Sequence, residues 1–303
     1  MVDDQGGNAI EITHSHIQEA LDHFEKVEQG GHLAYTFGWG AEIDDKILGL
    51  EPGNFVVVGG ENKHGKTTHA INTTYHNIRR GHSVLYVTME ISAKWIVYRL
   101  VARKLGLSLK SLKVRGALTP EQRVRVKEEL INLDKSRLTV LNGSTLEVIE
   151  RAVEKYQPEL VVVDHFQRMD PETDNLAQGY KHVAQGLKQL AVEQEIPIMV
   201  LSQVLFKDGW VDLNKAGEFE YTIQLMGTRW TNELHGEADK VLYLHNVGRQ
   251  YPAFRGRGHV IYHSIRDYEA EGFSILKLDY GKMFVGDEKM YQEEFGSKTN
   301  TPY

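Results

Sequence analysis

The chain has 303 residues, of which 41% are hydrophobic and 25% are charged, and its formal net charge at pH 7 is −7. This length and composition are typical of one large α/β domain or two small globular domains. The acidic balance excludes a protein that covers duplex DNA with its whole surface, so any contact with nucleic acid must be confined to a few loops or a channel.

The absence of cysteine excludes disulfides and cysteine-ligated metals. No stretch is apolar over the length of a membrane span, and the acidic start, Met1 to Asp4, is unlike a secretory signal. We therefore expect a cytoplasmic protein that does not contact a membrane.

The amino-terminal region, residues 1 to 32, is predicted to be a flexible polar lead followed by one amphipathic helix. Ser15 to Gln18 match a capping box, and apolar residues recur at helical spacing as Ile17, Ala20, Leu21, Phe24 and Val27. A lone helix of this length is marginally stable in water and needs a surface. The sequence leaves open whether that surface is its own domain or a neighbouring subunit.

Residues 54 to 68 carry the strongest functional motif. An apolar run, Phe55 to Val58, ends at two glycines, and the residues from Gly60 to Thr67 fit the pattern G-x-x-x-x-G-K-[ST] before a helix-compatible stretch. Strand, glycine loop and helix in this order predict a phosphate-binding P-loop, whose backbone N–H groups and helix amino terminus favour a polyphosphate. Lys66 would reach the outer phosphates and the Thr67 hydroxyl would hold magnesium. The predicted nucleotide contacts are Gly60, Glu61, Asn62, Lys63, His64, Gly65, Lys66, Thr67 and Thr68.

Apolar strands alternate with helices beyond the P-loop. This alternation predicts an α/β fold with a mostly parallel central sheet and helices on both faces. The predicted helices cover residues 66–79, about 92–104, 120–134, 145–156 and 179–193, and the strands between them cover 83–88, 138–141, 160–164 and 197–201. Three late strands, at 240–245, 259–266 and 273–280, are expected to extend the sheet antiparallel.

Four polar residues, Thr67, Glu90, Asp164 and Gln203, fall at or just past the carboxyl ends of predicted strands. Functional groups gather at this edge of a parallel sheet. Asp164 is placed to hold magnesium, although a carboxylate can simply end a strand. Glu90 is placed to act as general base, or it caps the following helix. Gln203 contacts the terminal phosphate or is a satisfied buried amide.

The rest of the sequence is less specific. Residues 206 to 227 show no clear period, which indicates a functional or mobile segment. Arg266 closes a late strand and is either a surface residue or a group that stabilises charge on a transferring phosphoryl group. The 14 histidines show no metal-binding spacing and are interpreted as surface or helix residues, with His165 notable beside Asp164. Residues 286 to 303 are predicted to be a polar, frayed tail.

The order of these motifs resembles the RecA-like motor domain of DnaB-type replicative helicases. In that family a strand ends in a Leu-Glu-Met-Pro-like phrase, the Walker B strand reads Asp-Tyr-Leu-Gln-Leu-Met, and Ser-Gln-Leu follows. Here Glu90, the phrase Asp164-His-Phe-Gln-Arg-Met169 and Ser202-Gln203 stand in those places. The stretch from Gly227 to Asp239 resembles the family segment that includes a DNA-contacting loop. The resemblance covers residues 33 to 285, the expected motor domain.

The resemblance implies ATP and Mg²⁺ as ligands and assigns catalytic roles. The implied catalytic set consists of Lys66, Glu90, Gln203 and Arg266. In this set Glu90 would act as the catalytic base, Gln203 as the γ-phosphate sensor, and Arg266 as an arginine finger acting across a subunit boundary. Asp164 would be the Walker B carboxylate. Tyr280 would stack on the nucleotide base, and Arg99 joins the nucleotide-binding set. The implied DNA-binding residues are Lys207, Arg229, Trp230 and Asn232.

The resemblance also implies an assembly and partners. The amino-terminal helix would dock on the next subunit of a hexameric ring, and single-stranded DNA would pass through the central channel. A primase, a polymerase or a loader is an expected partner. The family's amino-terminal collar domain does not occur in this sequence, which suggests a free-standing or shortened motor, from a bacterium or a phage acting in the host cytoplasm.

Three residues depart from the family pattern. Ser264 stands where the family has a lysine two residues before the arginine finger, so activation across the subunit boundary would be weaker. Trp230 and Asn232 replace Glu and Gly in the DNA-contacting loop, which leaves the details of strand contact open.

We therefore expect an ATP-driven, ring-forming 5′→3′ DNA helicase or translocase that acts in replication. One alternative is a recombinase or recombination mediator, which forms filaments, and another is a KaiC-like regulatory ATPase. A nucleotide-dependent scaffold or helicase-loading protein with little turnover belongs to a different class. Ser264 favours it, whereas the P-loop, Glu90 and Asp164 argue against it.

Overall fold

The structure is a computed structural model and describes residues 13–28, 35–133, 137–214, 217–223, 231–266 and 272–296. The chain divides into two compact units, residues 1–34 and 35–303. The first unit contains the helix α1, and the other described elements belong to the second unit.

Helices and strands alternate along most of the second unit. The helices of the chain are α1 (His14–Glu28), α2 (Ala41–Lys46), α3 (Lys66–Arg79), α4 (Ala93–Leu105), α5 (Pro120–Leu133), α6 (Leu146–Tyr156), α7 (Leu176–Glu193), α8 (Thr231–Glu237), α9 (Val247–Gln250) and α10 (Glu288–Phe295). The strands are β1 (Phe55–Gly60), β2 (Val84–Thr88), β3 (Leu138–Leu141), β4 (Leu160–Asp164), β5 (Ile198–Gln203), β6 (Val211–Leu213), β7 (Phe219–Tyr221), β8 (Lys240–Asn246), β9 (Arg257–Ile265), β10 (Phe273–Asp279) and β11 (Phe284–Gly286). Short 3₁₀ turns lie at Phe166–Arg168 and Pro252–Phe254.

The main sheet has nine strands in the order β11-β10-β9-β8-β1-β5-β4-β2-β3. The run from β8 to β3 is parallel, and β9, β10 and β11 extend it antiparallel. The predicted α/β fold, with a mostly parallel sheet and antiparallel late strands, is therefore confirmed. Because β1, β2, β4 and β5 are parallel, their carboxyl ends lie along one edge of the sheet.

The P-loop strand is buried on both faces. Phe55 and Val57 pack in one hydrophobic core with residues of α6, α7 and α8. Val56 and Val58 pack in a second core with residues of α2, α3 and α4. Burial on both faces explains why this strand is continuously apolar and does not alternate with polar residues.

The first unit confirms the predicted amphipathic helix. In α1 the side chains of Ile17, Leu21 and Phe24 are 51%, 49% and 61% exposed. Their spacing of three and four residues places them on one face of the helix. Across the described part of the whole chain, none of the helices combines the length and the apolar character that a membrane crossing requires.

Part of the segment 206 to 227, whose sequence shows no clear period, has regular structure. β6 and β7 pair antiparallel as a separate two-stranded sheet. The rings of Phe206 and Trp210 stack with centroids 4.0 Å apart, and both side chains are buried. Aromatic burial therefore holds a hairpin in a segment that has no readable hydrophobic period.

The interpretation of the histidines as surface or helix residues is wrong for His245 and His259. These residues lie on β8 and β9 and are 1% and 0% exposed. The Nδ1 atoms of the two rings lie 2.8 and 2.6 Å from the hydroxyl oxygen of Tyr221 on β7. Burial lowers the pKa of each histidine to about 3, so both are neutral at pH 7.

The predicted frayed tail from residue 286 is wrong as far as residue 296. Asp287 caps α10 by accepting a hydrogen bond from the N–H of Met290 at 2.7 Å. At the end of this helix Phe295 is 5% exposed, and Glu294 pairs with the buried guanidinium of Arg103. A short polar helix is thus held by tertiary contacts, these two among them, rather than by its own propensity.

Candidate functional site

The carboxyl end of β1 leads into the P-loop, and α3 begins at Lys66. Gly65 has φ +90°, a left-handed conformation that glycine adopts without strain. A Cβ atom at this position would lie 2.5 Å from an atom of the Tyr280 ring. The first N–H groups of α3 have no partners within the helix and favour an anion. The loop therefore fits a phosphate chain, and glycine at position 65 leaves room for the Tyr280 ring against the loop.

The ammonium group of Lys66 is folded back into the P-loop. Its Nζ donates hydrogen bonds to the carbonyl oxygens of Gly60 at 2.8 Å and Glu61 at 3.0 Å. Burial lowers the pKa of Lys66 to about 8, and the negative charges of Asp164, Glu90 and Glu61 oppose this shift. A polyphosphate would add negative charge beside the ammonium group and would favour its charged form.

Asp164 and Thr67 place two oxygen-bearing side chains next to each other. The hydroxyl of Thr67 lies 3.4 Å from Oδ1 of Asp164, and the hydroxyl of Tyr86 donates to Oδ2 at 2.8 Å. Asp164 is 4% exposed, and this burial raises the pKa of its carboxyl group, while the hydrogen bonds from Tyr86 and Thr67 oppose the shift. A hydroxyl beside a buried carboxylate fits Mg²⁺, which prefers oxygen ligands and whose charge would favour the ionised carboxylate.

Glu90 stands at the start of the loop that follows β2, across from the loop that follows β4. Nη2 and Nε of Arg168 donate to Oε1 of Glu90 at 2.9 and 3.1 Å. Nε2 of His165 lies 3.4 Å from the same oxygen. Desolvation raises the pKa of Glu90, but the hydrogen bond from Arg168 and the contacts with His165 outweigh it, so the net pKa lies below its usual value. Glu90 is therefore ionised at neutral pH, as a general base must be.

Gln203 ends β5, and its main chain is held by Gln167. The N–H of Gln203 donates to Oε1 of Gln167 at 2.9 Å. Nε2 of Gln167 in turn donates to the carbonyl oxygen of Gln203 at 3.0 Å and to the hydroxyl of Ser202 at 2.9 Å. These contacts fix the end of β5 relative to the loop after β4.

These groups surround one cleft of about 620 Å³ at the carboxyl edge of the sheet. The cleft joins most of the predicted nucleotide, metal and catalytic residues. It is lined by Asn62, Lys63, Gly65, Lys66, Thr67, Thr68, Glu90, Asp164, His165, Gln167, Arg168, Gln203 and Tyr280. Such a cleft can hold a triphosphate and leaves a carboxylate available to a water molecule, and Thr67 and Asp164 are the residues that would bind a metal ion.

The comparison with known families agrees with this geometry. The model of the DnaB-like helicase C-terminal domain matches residues 39–207. The chain belongs to this family. The resemblance inferred from the order of the motifs is thereby confirmed.

The chain is also similar to known relatives and to solved structures. The chain is 29% identical over 171 residues to a probable plasmid replicative DNA helicase of Chlamydia trachomatis serovar L2, an alignment that covers 54% of this chain and 38% of that protein. The chain thus spans well under half of the length of this relative. The fold is similar to that of the ATPase domain of G40P, with a TM-score of 0.75, 16% identity and coverage of 91% and 99% of the two chains.

A second solved structure describes a DnaB-like replicative helicase and its interactions with primase. The TM-score is 0.73 at 17% identity, and the match covers 93% of this chain and 69% of that one. At these identities the likeness concerns the fold, and the predicted RecA-like ATPase fold is confirmed.

Several of the predicted site residues in the present chain do not line the cleft. Arg99, on α4, donates to the carbonyl oxygen of Trp95 at 3.2 Å. Among the P-loop residues, Gly60, Glu61 and His64 do not line the cleft, although the first two hold Lys66 through their carbonyl oxygens. The predicted nucleotide role of Arg99 thus has no contact in the cleft to support it.

Arg266 lies at the opposite edge of the sheet. Its N–H donates to the carbonyl oxygen of Asp239 at 2.8 Å, and its Nη1 lies 2.9 Å from Oδ1 of the same residue. Asp239 in turn accepts a hydrogen bond from the N–H of Phe55, the first residue of β1. Since β1 spans five residue steps of about 3.3 Å, Arg266 is separated from the P-loop by about 17 Å along the strand. The chain does not bring its own Arg266 into its own cleft.

The predicted DNA-binding residues are only partly described. Lys207 is exposed after β5. Asn232 lies in the first turn of α8, while its side chain, and Arg229 and Trp230 as a whole, lie outside the described residues. The DNA-binding role of these four positions therefore stays a prediction.

The sequence does not single out three residues of the site, namely Tyr86, Gln167 and Arg168. A signal for Tyr86 exists, because a tyrosine inside an apolar strand needs a partner for its hydroxyl. A signal for Arg168 also exists, because it stands where the family phrase has leucine. Neither signal identifies Asp164 or Glu90 as the partner, which requires knowing that β2 lies beside β4.

Proposed function

We propose that the chain is the ATP-hydrolysing motor of a replicative DNA helicase that assembles as a ring and moves 5′→3′ along single-stranded DNA. The observation that carries this proposal is the meeting of Lys66, Asp164 and Glu90 in one cleft at the carboxyl edge of the sheet. Membership of the DnaB-like helicase C-terminal domain family supports it.

In the proposed reaction each group has one role. ATP binds the P-loop, Lys66 contacts the outer phosphates, and Thr67 and Asp164 hold Mg²⁺. Glu90 accepts a proton from a water molecule whose oxygen bonds to the γ-phosphorus as the bond to the β–γ bridging oxygen breaks, and the products are ADP and phosphate. Gln203 contacts the terminal phosphate, and Tyr280 packs against the base.

The proposed motor needs more than one copy of the chain. Arg266 is too far from its own P-loop to contact the transferring phosphoryl group, so it would serve the cleft of a neighbouring copy as an arginine finger. The exposed apolar face of α1, formed by Ile17, Leu21 and Phe24, would dock on that neighbour. A closed ring supplies both contacts to every copy.

The proposed DNA contacts follow from the same arrangement. Lys207 and the segment that contains Arg229, Trp230 and Asn232 would face the channel and contact the backbone of the single strand. Contacts confined to a channel are compatible with a net charge of −7. One of the two solved structures describes interactions with primase, and a primase, a polymerase or a loader is the class of protein partner that we propose.

The test combines turnover, assembly and unwinding. We expect ATP hydrolysis stimulated by single-stranded DNA, closed rings in electron micrographs with an ATP analogue and DNA, and unwinding of a forked duplex. Lys66→Ala should abolish turnover. Glu90→Gln should bind ATP and lose about 10²-fold or more in kcat, since it removes the general base.

Other outcomes would contradict the proposal. Open filaments on DNA would indicate a recombinase, and nucleotide binding without stimulated turnover would indicate a scaffold. A Glu90→Gln variant with unchanged kcat would show that the general base has been misassigned.

A further inference from the structure

Arg168 binds only one of the two carboxylate oxygens of Glu90. Both of its donating atoms, Nε and Nη2, bind Oε1 of Glu90, and His165 approaches the same oxygen. Among the described residues, the other carboxylate oxygen, Oε2, has no hydrogen-bond partner. One oxygen of the carboxylate is therefore held while the second remains able to accept a proton.

The fold brings this pair together at the reacting end of the cleft. β2 and β4 are neighbouring parallel strands, with Thr88 opposite Asp164, so the loops that follow them leave the same edge side by side. Both Arg168 and Glu90 line the cleft with Lys66. A guanidinium at this place also reduces the repulsion between the Glu90 carboxylate and a bound polyphosphate.

We propose that Arg168 is a positioning residue, which holds one oxygen of Glu90 so that the other faces the attacking water. This inference rests on the proposed function, because it concerns the general base of that reaction. Arg168 stands where the family phrase has leucine, so the contact is a feature of this chain that the resemblance does not supply.

The solvent exposure of Arg168 and Glu90 distinguishes a role in positioning from a contribution to the stability of the fold. The side chains of Arg168 and Glu90 are 59% and 41% exposed, and ion pairs of this kind add little to stability. Orientation of a catalytic group is more sensitive, because small displacements of a reacting carboxylate reduce the rate. Loss of Arg168 should therefore change turnover while the melting temperature stays the same.

The first experiment is a double-variant cycle of ATP hydrolysis with single-stranded DNA present. Arg168→Leu should lower kcat about fivefold, which corresponds to about 1 kcal/mol, with KM unchanged within about twofold. If Arg168 acts through Glu90, the variant that combines Arg168→Leu with Glu90→Gln should be no slower than Glu90→Gln alone. As a matched control, Arg151→Leu breaks an exposed pair with Glu147 away from the cleft and should leave kcat unchanged.

Three kinetic results would overturn the inference. They are a kcat for Arg168→Leu equal to or above the wild-type value, a raised KM with unchanged kcat, and effects of the two substitutions that multiply. The second result would place Arg168 on the nucleotide itself, and the third would give it a role independent of Glu90.

A crystal structure of the Arg168→Leu variant provides a readout that does not depend on turnover. The Glu90 carboxylate should leave the position that it has in the wild-type protein. An unchanged carboxylate would overturn the inference even if no ATP were hydrolysed. A wild-type protein without stimulated turnover would instead contradict the proposed function, so the two failures can be told apart.

Discussion

The contact between Arg103 on α4 and Glu294 on α10 gives a prediction whose size follows from the structure. Arg103 is 0% exposed and Glu294 is 19% exposed. Nη1 and Nη2 of Arg103 donate to the two carboxylate oxygens of Glu294 at 2.5 and 3.1 Å. Nε donates to Oδ1 of Asn72 at 2.7 Å, and the guanidinium carbon lies 4.6 Å from the centroid of the Tyr75 ring.

Glu294→Ala would leave a buried guanidinium without its counter-charge. Breaking a buried ion pair by removing one partner destabilises a protein by about 3–5 kcal/mol. Because Glu294 is partly exposed and Asn72 still binds Nε, we expect the lower end, about 3 kcal/mol. At about 2–4 °C per kcal/mol for a domain of this size class, the melting temperature should fall by about 6 °C or more.

Calorimetry and urea unfolding of the wild-type protein and two variants would measure this effect. Glu293→Ala is the matched control, because Glu293 is exposed on the same helix and its loss should change the free energy of unfolding by less than about 0.5 kcal/mol. A loss below about 1 kcal/mol for Glu294→Ala would refute the reasoning, because an exposed ion pair is worth no more than that. In that case α10 would not be anchored by this contact.

Three further predictions concern pH, the nucleotide and the assembly. Burial lowers the pKa of five histidines from 6.5 to about 3 or about 4, namely His64, His69, His235, His245 and His259. The unfolded state therefore binds more protons than the folded state below pH 6.5, and the free energy of unfolding should fall there. The slope is up to about 1.4 kcal/mol per pH unit for each histidine. Two carboxyl groups oppose it, because burial raises the pKa of Asp44 to about 6 and also raises the pKa of Asp164. Urea unfolding at pH 7.5 and 5.5 checks this, and an equal or higher stability at pH 5.5 would contradict it. Tyr280→Ala should weaken ATP binding about tenfold with little change in kcat, since stacking of a base on an aromatic ring is worth about 1–3 kcal/mol; titration with a fluorescent nucleotide measures it, and an unchanged affinity would remove Tyr280 from the site. Arg266→Ala should bind ATP normally and lose about 10³-fold in turnover of the assembled protein; full stimulated turnover of the assembled variant would show that Arg266 is not the finger.

Much of the fold and of the cleft could be predicted from the sequence because their signals are local. The apolar run before the glycines of the P-loop predicts a buried strand, and the strand–loop–helix order predicts where Lys66 and Thr67 lie. Asp164 and Gln203 end such strands, and Glu90 lies just past the end of another. In a parallel sheet the ends of strands share an edge, so their meeting follows without knowledge of the strand order.

Contacts that depend on the strand order could not be predicted. The partner of Arg168 is Glu90 only because β2 and β4 are neighbours in the sheet, and the alternation of strands and helices is compatible with other orders. The hairpin of β6 and β7 and the helix α10 were missed for a related reason. Both are short, and both depend on distant partners, as Tyr221 does on His245 and Glu294 does on Arg103.

The surroundings of Asp239 explain how Arg266 can serve a neighbouring copy in the proposed ring without loss of its own fold. Asp239 is 7% exposed, and its Oδ2 binds both the N–H of Phe55 and Nζ of Lys188, at 2.7 Å each, while Oδ1 faces Arg266. When Arg266 moves away from Asp239, the buried carboxylate still has the ammonium group of Lys188 and the N–H of Phe55 as partners. The movement therefore does not leave a buried charge unpaired. Arg266 itself is 50% exposed, which makes its present contact weak and exchangeable. Arg266 is thus held at the amino edge of the sheet by a contact that it can exchange for another. The proposed role requires this, because the arginine must bind in the site of another copy.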